Sequence, residues 1–193
     1  MKRVLITGAN KGIGFATVRK ILSTYDDVHV FLGARNVERG DAAVDRLLAE
    51  NPAWEGRVER LQIDVSDPES VNNAAERLAL KYPGESHPLY GIVNNAGIGF
   101  SGTPEEVLGV NTDGVQRVCS AFIPLLKTEG GRVVNVTSAS GPTFVSSCDA
   151  KRQAFFTDPE ITWSMIQSVM KEYLDVCNGA GDFTAKGLGS SAY

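Results

Sequence analysis

A glycine-rich stretch near the amino terminus is the part of this sequence best suited to bind a phosphate group. Residues 7–14 read TGANKGIG and lie between an apolar run and an amphipathic run. Gly8 permits a tight turn, Gly12 lets the backbone approach a pyrophosphate, and Gly14 allows close contact between helix and strand. The free N–H groups at the start of a helix then favour an anion. The spacing differs from the common dinucleotide fingerprint, and the alternative is a turn that binds nothing.

Basic side chains near the second apolar run indicate which dinucleotide such a turn would hold. Dinucleotide folds that prefer an unmodified ribose place Asp or Glu near the end of the second strand, whereas Arg accommodates a 2′-phosphate. Here the run ends in GARN, so Arg35 stands where the acid would be, and Lys11 adds a cation within the glycine turn. Arg39 is near enough to contribute. The pattern predicts NADP(H), with ordinary solvated surface charge as the alternative for each cation.

Apolar runs that alternate with amphipathic runs predict the elements that position these residues. The predicted strands are 3–7, 28–33, 57–64, 90–95 and 131–138. Four of them are continuous apolar runs of the kind buried in a parallel sheet, whereas the third alternates and suits a less covered strand. Helices are predicted over 12–24, over 37–50 and over 160–177. Another is predicted to start at SDPES, where Ser66 or Asp67 can cap it and Pro68 suits its first turn, and a further one at the capping box at 103–106. This order predicts an α/β protein with a Rossmann-type doubly wound parallel sheet.

The sequence changes character after the fifth predicted strand. Residues 139–160 are rich in Ser, Pro, Thr and Asp, and residues 178–191 resemble a loop. We interpret 139–192 as an insertion within a single domain that spans residues 1–193, because the sequence shows no internal repeat and no second domain.

Composition and charge indicate which binding partners and which cellular compartment to expect. The 193 residues are 42% apolar and carry a formal net charge of −4, which argues against nucleic acid or an anionic membrane as partner. Three widely spaced cysteines lack a metal-like pattern and indicate a reducing compartment: Cys119, Cys148 and Cys177. A short apolar run begins directly after the first residues, MKR, so no signal peptide is expected. The sequence also contains no stretch of about 20 apolar residues, the length that a membrane-spanning helix requires. A cytoplasmic protein without metal is expected.

The motifs together resemble the short-chain dehydrogenases/reductases. TGANKGIG, NNAG at 94–97, Asn111 and VNVTS at 134–138 follow the family's order, and SSAY at 190–193 matches the start of its Tyr-x-x-x-Lys motif. Within the family, the sequence is most similar to the monomeric NADPH-dependent carbonyl reductases, which have a similarly long insertion before the tyrosine. In those reductases the insertion covers a face that other members use to oligomerise. The resemblance therefore implies a monomer that reduces small aldehydes, ketones or quinones.

The resemblance also implies roles for the matching residues. Ser138 would hydrogen-bond the substrate carbonyl, Tyr193 would protonate the forming alkoxide, and Asn111 would hold a proton-relay water through its helix backbone. Asp64 and Val65 would contact adenine. The other expected cofactor residues are Gly8, Asn10, Lys11, Gly12, Ile13, Gly14, Arg35, Arg39, Asn94, Asn95, Ala96 and Gly97. The simpler interpretations are turns for NNAG and Ser138, and a helix cap or kink for Asn111.

The lysine of the tyrosine motif does not follow Tyr193, which is the last residue of the sequence. The resemblance implies that the helix carrying the tyrosine and the strands that complete the family's sheet are missing as well, so that the fold is expected to be truncated after the fifth strand and the helical insertion. Because a nearby cation lowers the pKa of a phenol, we expect little turnover from these residues alone. A fragment of a longer protein, a natural short form and a part supplied by another chain are three possible explanations, and we favour the first. Two functions stay open: an NADPH-dependent carbonyl reductase, and a catalytically inactive NADP(H)-binding sensor or partner-binding module. A sugar-nucleotide epimerase fits less well, because its usual glycine spacing differs.

Overall fold

The computed structural model describes residues 1–99 and 102–189, and the chain divides into two compact units. The first unit contains Met1–Ile98 and Gly109–Val136. The second consists of the described residues within Gly99–Leu108 and Thr137–Tyr193. The glycine turn and the NNAG motif both belong to the first unit.

A five-stranded parallel sheet forms the centre of the first unit. Its strands are β1 (Lys2–Ile6), β2 (Val28–Ala34), β3 (Val58–Gln62), β4 (Gly91–Asn94) and β5 (Arg132–Asn135). Their order in the sheet is β3-β2-β1-β4-β5, and each neighbouring pair is parallel. The chain winds outward from β1 to β3 and then returns to the other side of β1. This reversal is the doubly wound topology that the sequence predicts.

Helices follow the strands with boundaries that the local sequence explains. The helices are α1 (Gly12–Thr24), α2 (Val37–Glu50), α3 (Pro68–Lys81), α4 (Pro104–Asn111) and α5 (Asp113–Phe122), with 3₁₀ turns at Pro52–Trp54 and Ile123–Leu125. The predicted bounds of α1 and α2 are confirmed. The Asn36 side chain accepts a hydrogen bond from the Arg39 N–H at 2.8 Å and caps α2. Asp67 caps α3 by accepting from the Glu69 N–H at 3.0 Å, and Pro68 occupies the first turn.

Two apolar clusters cover the two faces of the sheet. Val4 and Ile6 of β1 pack in one cluster with residues of α1 and α2, whereas Leu5 packs in the other with residues of α3 and α5. Successive residues of a strand face opposite sides, so this division follows from the pleat. Helices on both faces leave the carboxyl ends of the strands as the open side of the sheet.

The predicted burial of the fifth strand is wrong. All four residues of β5 are exposed, and Val134 keeps 50% of its surface accessible. Two features accompany this exposure: β5 is an edge strand that pairs with β4 and with no other described strand, and none of its residues belongs to either apolar cluster. The opposite edge strand, β3, has the partial burial expected from its alternating sequence.

The second unit is helical. It contains α6 (Ser140–Ser147), α7 (Ala150–Phe156) and α8 (Trp163–Cys177). The helix predicted over 160–177 is confirmed but begins at Trp163, where the Thr162 hydroxyl accepts from the Met165 N–H at 3.4 Å. Helices α6 and α7 lie within the Ser- and Pro-rich stretch, whose composition did not indicate them. Across the described residues, no helix has the length and apolar character needed to cross a membrane.

Candidate functional site

A cleft of about 380 Å³ opens at the carboxyl ends of β1, β2, β3 and β4. Every residue that lines it belongs to the first unit. The lining residues are Gly8, Asn10, Lys11, Gly12, Ile13, Gly14, Arg35, Ile63, Asp64, Val65, Asn95, Ala96, Gly97, Ile98 and Val110. The cleft lies where the strand order reverses, which is the usual ligand site of an open α/β sheet. The structure thus brings together twelve of the fourteen residues that the sequence assigned to a cofactor.

The glycine turn forms one side of this cleft. Gly8 and Gly12 have φ angles of +62° and +59°, a left-handed conformation that other residues adopt at a cost. A Cβ at Gly8 would lie 2.8 Å from the Cα of Ala96, so the turn also packs against the loop after β4. Beside Gly12, in contrast, no described atom outside its chain neighbours and the backbone of its own helix lies within 4 Å of the position a Cβ would take. The backbone at Gly12 is therefore open to a ligand.

The first turn of α1 keeps its N–H groups free of side-chain caps. Lys11 occupies the N-cap position without a capping hydrogen bond, and the first turn contains no acidic residue. Helices α2 and α3 differ, since Asn36 and Asp67 cap them. Uncapped N–H groups and the positive end of the helix dipole favour an anion at α1.

Two of the three predicted cations line the cleft. The side chains of Lys11 and Arg35 belong to exposed residues, and neither forms an ion pair with a described residue. Arg39 lies in the first turn of α2 and is exposed, but it does not line the cleft. The cleft therefore carries positive charge beside the uncapped end of α1.

Asn95 joins the glycine turn to the loop after β4. Its Nδ2 donates to the carbonyl oxygens of Thr7 at 2.8 Å and Gly8 at 3.2 Å. In return, the Thr7 hydroxyl accepts from the N–H groups of Asn95 and Ala96, both at 3.0 Å. Sequence reasoning gave no role to Thr7, although its place directly after the first strand was the available signal.

Asn94 faces away from the cleft. It is buried, and its Nδ2 donates to the Asn135 Oδ1 at 2.9 Å and approaches the Cys119 Sγ at 3.4 Å. Neighbouring residues of an extended chain point to opposite sides, so Asn94 and Asn95 face different surroundings. Asn94 thus connects β4 to β5 across the sheet.

The loop after β3 and the end of α4 also line the cleft. Asp64 accepts hydrogen bonds from the Ser66 N–H at 3.0 Å and the Ser66 hydroxyl at 2.6 Å, which shape this loop. Val65 follows and is largely buried. Sequence reasoning missed the apolar lining residues Ile63, Ile98 and Val110. Two of them directly neighbour an assigned motif, at Asp64 and NNAG, and this adjacency could have indicated them.

The three predicted catalytic residues fall in different parts of the chain. Asn111 ends α4, and its side chain donates to the Ile98 carbonyl at 2.8 Å and accepts from the Ile98 N–H at 2.9 Å. Ser138 belongs to the second unit, where its hydroxyl accepts from the Ser140 N–H at 3.1 Å near the start of α6. Tyr193 lies outside the described residues.

Comparison with known protein families and structures agrees with the motifs. The family model for short chain dehydrogenases matches residues 2–148. Carbonyl reductase [NADPH] 1 of Sus scrofa is 37% identical over 186 residues, which are 91% of this chain. The match spans 60% of the length of that relative.

Two solved structures extend the comparison to three dimensions. Menthone neomenthol reductase from Mentha piperita is 25% identical with a TM-score of 0.78, over 93% of this chain and 75% of the reductase. A metagenomic short-chain oxidoreductase in complex with NADP is 27% identical with a TM-score of 0.60, over 72% of this chain and 63% of its own. The fold, the motifs and the family match together assign the chain to the short-chain dehydrogenase/reductase family.

Proposed function

We propose that this chain binds NADP(H) in the cleft of the first unit and represents an NADPH-dependent reductase of carbonyl compounds. The observation that carries the proposal is the uncapped start of α1 beside Lys11 and Arg35, neither of which has an ion-pair partner among the described residues. The similar metagenomic oxidoreductase was solved with NADP, and the pig relative is named a carbonyl reductase [NADPH]. Small-molecule aldehydes, ketones or quinones are the substrates that this relationship suggests.

The residues of the cleft fit the parts of this cofactor. The open backbone at Gly12 and the free N–H groups of α1 suit the pyrophosphate, with Lys11 close by. Arg35 follows β2 and suits the 2′-phosphate that distinguishes NADP(H) from NAD(H). Asp64 and Val65 would border the adenine.

The chemistry divides between the cofactor and the protein. When bound, NADPH supplies a hydride to the carbonyl carbon. The Ser138 hydroxyl would donate to the carbonyl oxygen, where negative charge develops, and Tyr193 would supply the proton. Asn111 would act in the proton relay, and its side chain holds the backbone of Ile98 at the edge of the cleft.

Titrations of NADPH and NADH, followed by cofactor fluorescence, test the proposed cofactor and the role of Arg35. NADPH should bind more tightly than NADH. Arg35→Ala should weaken NADPH about tenfold, because a charged hydrogen bond to the 2′-phosphate is lost, and should leave NADH nearly unchanged. Arg77→Ala is the matched control, since this exposed arginine of α3 does not line the cleft. Equal or tighter binding of NADH by the unmodified chain contradicts the proposal.

Binding without catalysis is the second candidate function. The observation that favours it is that every residue lining the cleft belongs to the first unit, so that this unit by itself carries the residues proposed to bind the cofactor. NADPH oxidation in the presence of an aldehyde, ketone or quinone separates the two functions. Turnover supports the reductase, whereas tight NADPH binding without turnover supports a sensor or partner-binding module.

We further propose that the protein is a cytoplasmic monomer that does not bind nucleic acid. A net charge of −4 disfavours phosphate backbones and anionic membranes. Size-exclusion chromatography tests the monomer, and a tetramer would contradict it. Fractionation of cells that express the protein tests the location.

A further inference from the structure

Arg117 lies on α5 outside the cleft and connects two of the segments that line it. Its Nη1 donates to the carbonyl oxygen of Val65 at 3.2 Å and to the carbonyl oxygen of Gly109 at 2.9 Å. Val65 lines the cleft after β3, and Gly109 precedes Val110, which lines it from the end of α4. A single nitrogen therefore holds the backbones of two lining segments.

Close packing of α5 against Val65 and partial burial of Arg117 support these two hydrogen bonds. At Gly114, also on α5, a Cβ would lie 3.1 Å from the Val65 Cγ2 and 3.2 Å from the Val65 carbonyl oxygen, so α5 packs directly against this residue. The Asp113 carboxylate lies 4.0 Å from the other terminal nitrogen of the guanidinium. Only 26% of the Arg117 side chain is exposed, and partial burial strengthens hydrogen bonds from a charged donor.

We propose that Arg117 is a positioning residue that sets the separation of Val65 and Val110 around the bound dinucleotide, an inference that rests on the proposed NADP(H) function. Without Arg117, the two carbonyl oxygens lose a shared charged donor. The loop after β3 and the end of α4 can then move independently. Because Val65 is expected to border the adenine, removal of Arg117 should weaken binding of the adenosine end of the ligand.

Binding of adenosine 2′,5′-bisphosphate, measured by calorimetry on the 193-residue chain, tests the role of Arg117. Arg117→Met keeps the aliphatic stem and removes both hydrogen bonds, so affinity should fall about fivefold. Arg117→Lys should recover part of the affinity, because both bonds leave from one nitrogen and an ammonium can replace it. Asp113→Asn is the matched control, since it leaves both carbonyl bonds in place and should change affinity less than twofold.

The outcomes separate this inference from the proposed function. If the unmodified chain binds neither the bisphosphate nor NADPH, the proposed function fails and the role of Arg117 fails with it. If the unmodified chain binds and Arg117→Met binds equally well, only the role of Arg117 is overturned. Equal losses in the Met and Lys variants also overturn it. Circular dichroism verifies folding. If the Met variant does not fold, Arg117→Gln, whose shorter side chain also removes both bonds, takes its place: reduced affinity supports the proposal and unchanged affinity overturns it.

Discussion

Strands β2 and β5 belong to the same parallel sheet, and both contain consecutive apolar residues, but their surroundings are opposite. All seven residues of β2 are buried, whereas all four residues of β5 are exposed. β2 lies between β1 and β3, and its side chains alternate between the two apolar clusters, with Leu32 in one and Phe31 in the other. β5 lies at the edge, where Val133 and Val134 remain accessible. An apolar run thus identifies a strand, but the neighbours of the strand decide its burial.

Replacing Phe31 with alanine tests the buried side of this comparison and should have the largest effect. The ring is 2% exposed and lies 4.9 Å from His29 and 6.4 Å from Tyr82, centroid to centroid. Phe31→Ala should lower the free energy of unfolding by about 3–5 kcal/mol, because it removes apolar contacts and leaves a cavity. Urea denaturation followed by circular dichroism measures the change. A loss below about 1 kcal/mol would show that β2 is not the packed centre of the sheet.

The pH dependence of stability tests the polar contact that β2 makes with β3, and its effect should be intermediate. The His29 Nε2 lies 2.9 Å from the Glu59 Oε1, and Lys81 of α3 also pairs with this carboxylate. The hydrogen bond from His29, followed by that from Lys81, lowers the pKa of Glu59 from 4.5 to about 2. A lowered folded-state pKa means that the stabilisation is present above pH 4.5 and is lost as the pH falls toward 2.

Glu59→Gln should therefore flatten the stability profile in acid. Between about pH 6 and pH 3, the unmodified chain should lose about 1–2 kcal/mol more than the variant, with allowance for solvent screening. Urea denaturation at each pH measures the difference. Glu55→Gln is the control, because Glu55 is exposed and forms no ion pair with a described residue. Parallel profiles for the unmodified chain and Glu59→Gln would show that the contact does not stabilise β2.

Replacing Val134 with alanine tests the exposed side of the comparison and should have the smallest effect. Half of this residue is accessible, so little buried contact is lost. The free energy of unfolding should change by no more than about 0.5 kcal/mol in the same denaturation experiment. A loss above about 2 kcal/mol would mean that another surface covers β5 in solution.

Local signals predicted the inner part of the fold well. The alternation of runs predicted the doubly wound sheet, and the helical spacing of apolar residues predicted the bounds of α1 and α2. For α3, the sequence offered Ser66 or Asp67 as the cap, and the structure has Asp67 in that role. The exposure of β5 could not be predicted, because it depends on which parts of the chain pack over its two faces, and β5 belongs to neither apolar cluster. Helices α6 and α7 were missed because serine and proline disfavour helices on average, whereas a local cap at Asp149, which accepts from the Arg152 N–H at 2.8 Å, begins α7.

The candidate site shows the same division between local and distant signals. The glycine turn and Arg35 could be identified from residue type and spacing, and the structure places them together in one cleft. The contacts of Thr7 could not be identified, since its hydroxyl meets N–H groups 88 and 89 positions further along the chain. The opposite orientations of Asn94 and Asn95 follow from the pleat of an extended strand. They were not predicted, because all four residues of NNAG were assigned the same role.

The hydrogen bonds between Thr7, Gly8 and Asn95 have a consequence for how a ligand enters the cleft. Four bonds join the loops after β1 and β4, so these loops form one rigid surface in the folded chain. The conformational entropy of both loops is then lost during folding and not during association. A ligand should therefore bind to a surface that already has its bound conformation, with little rearrangement of the backbone.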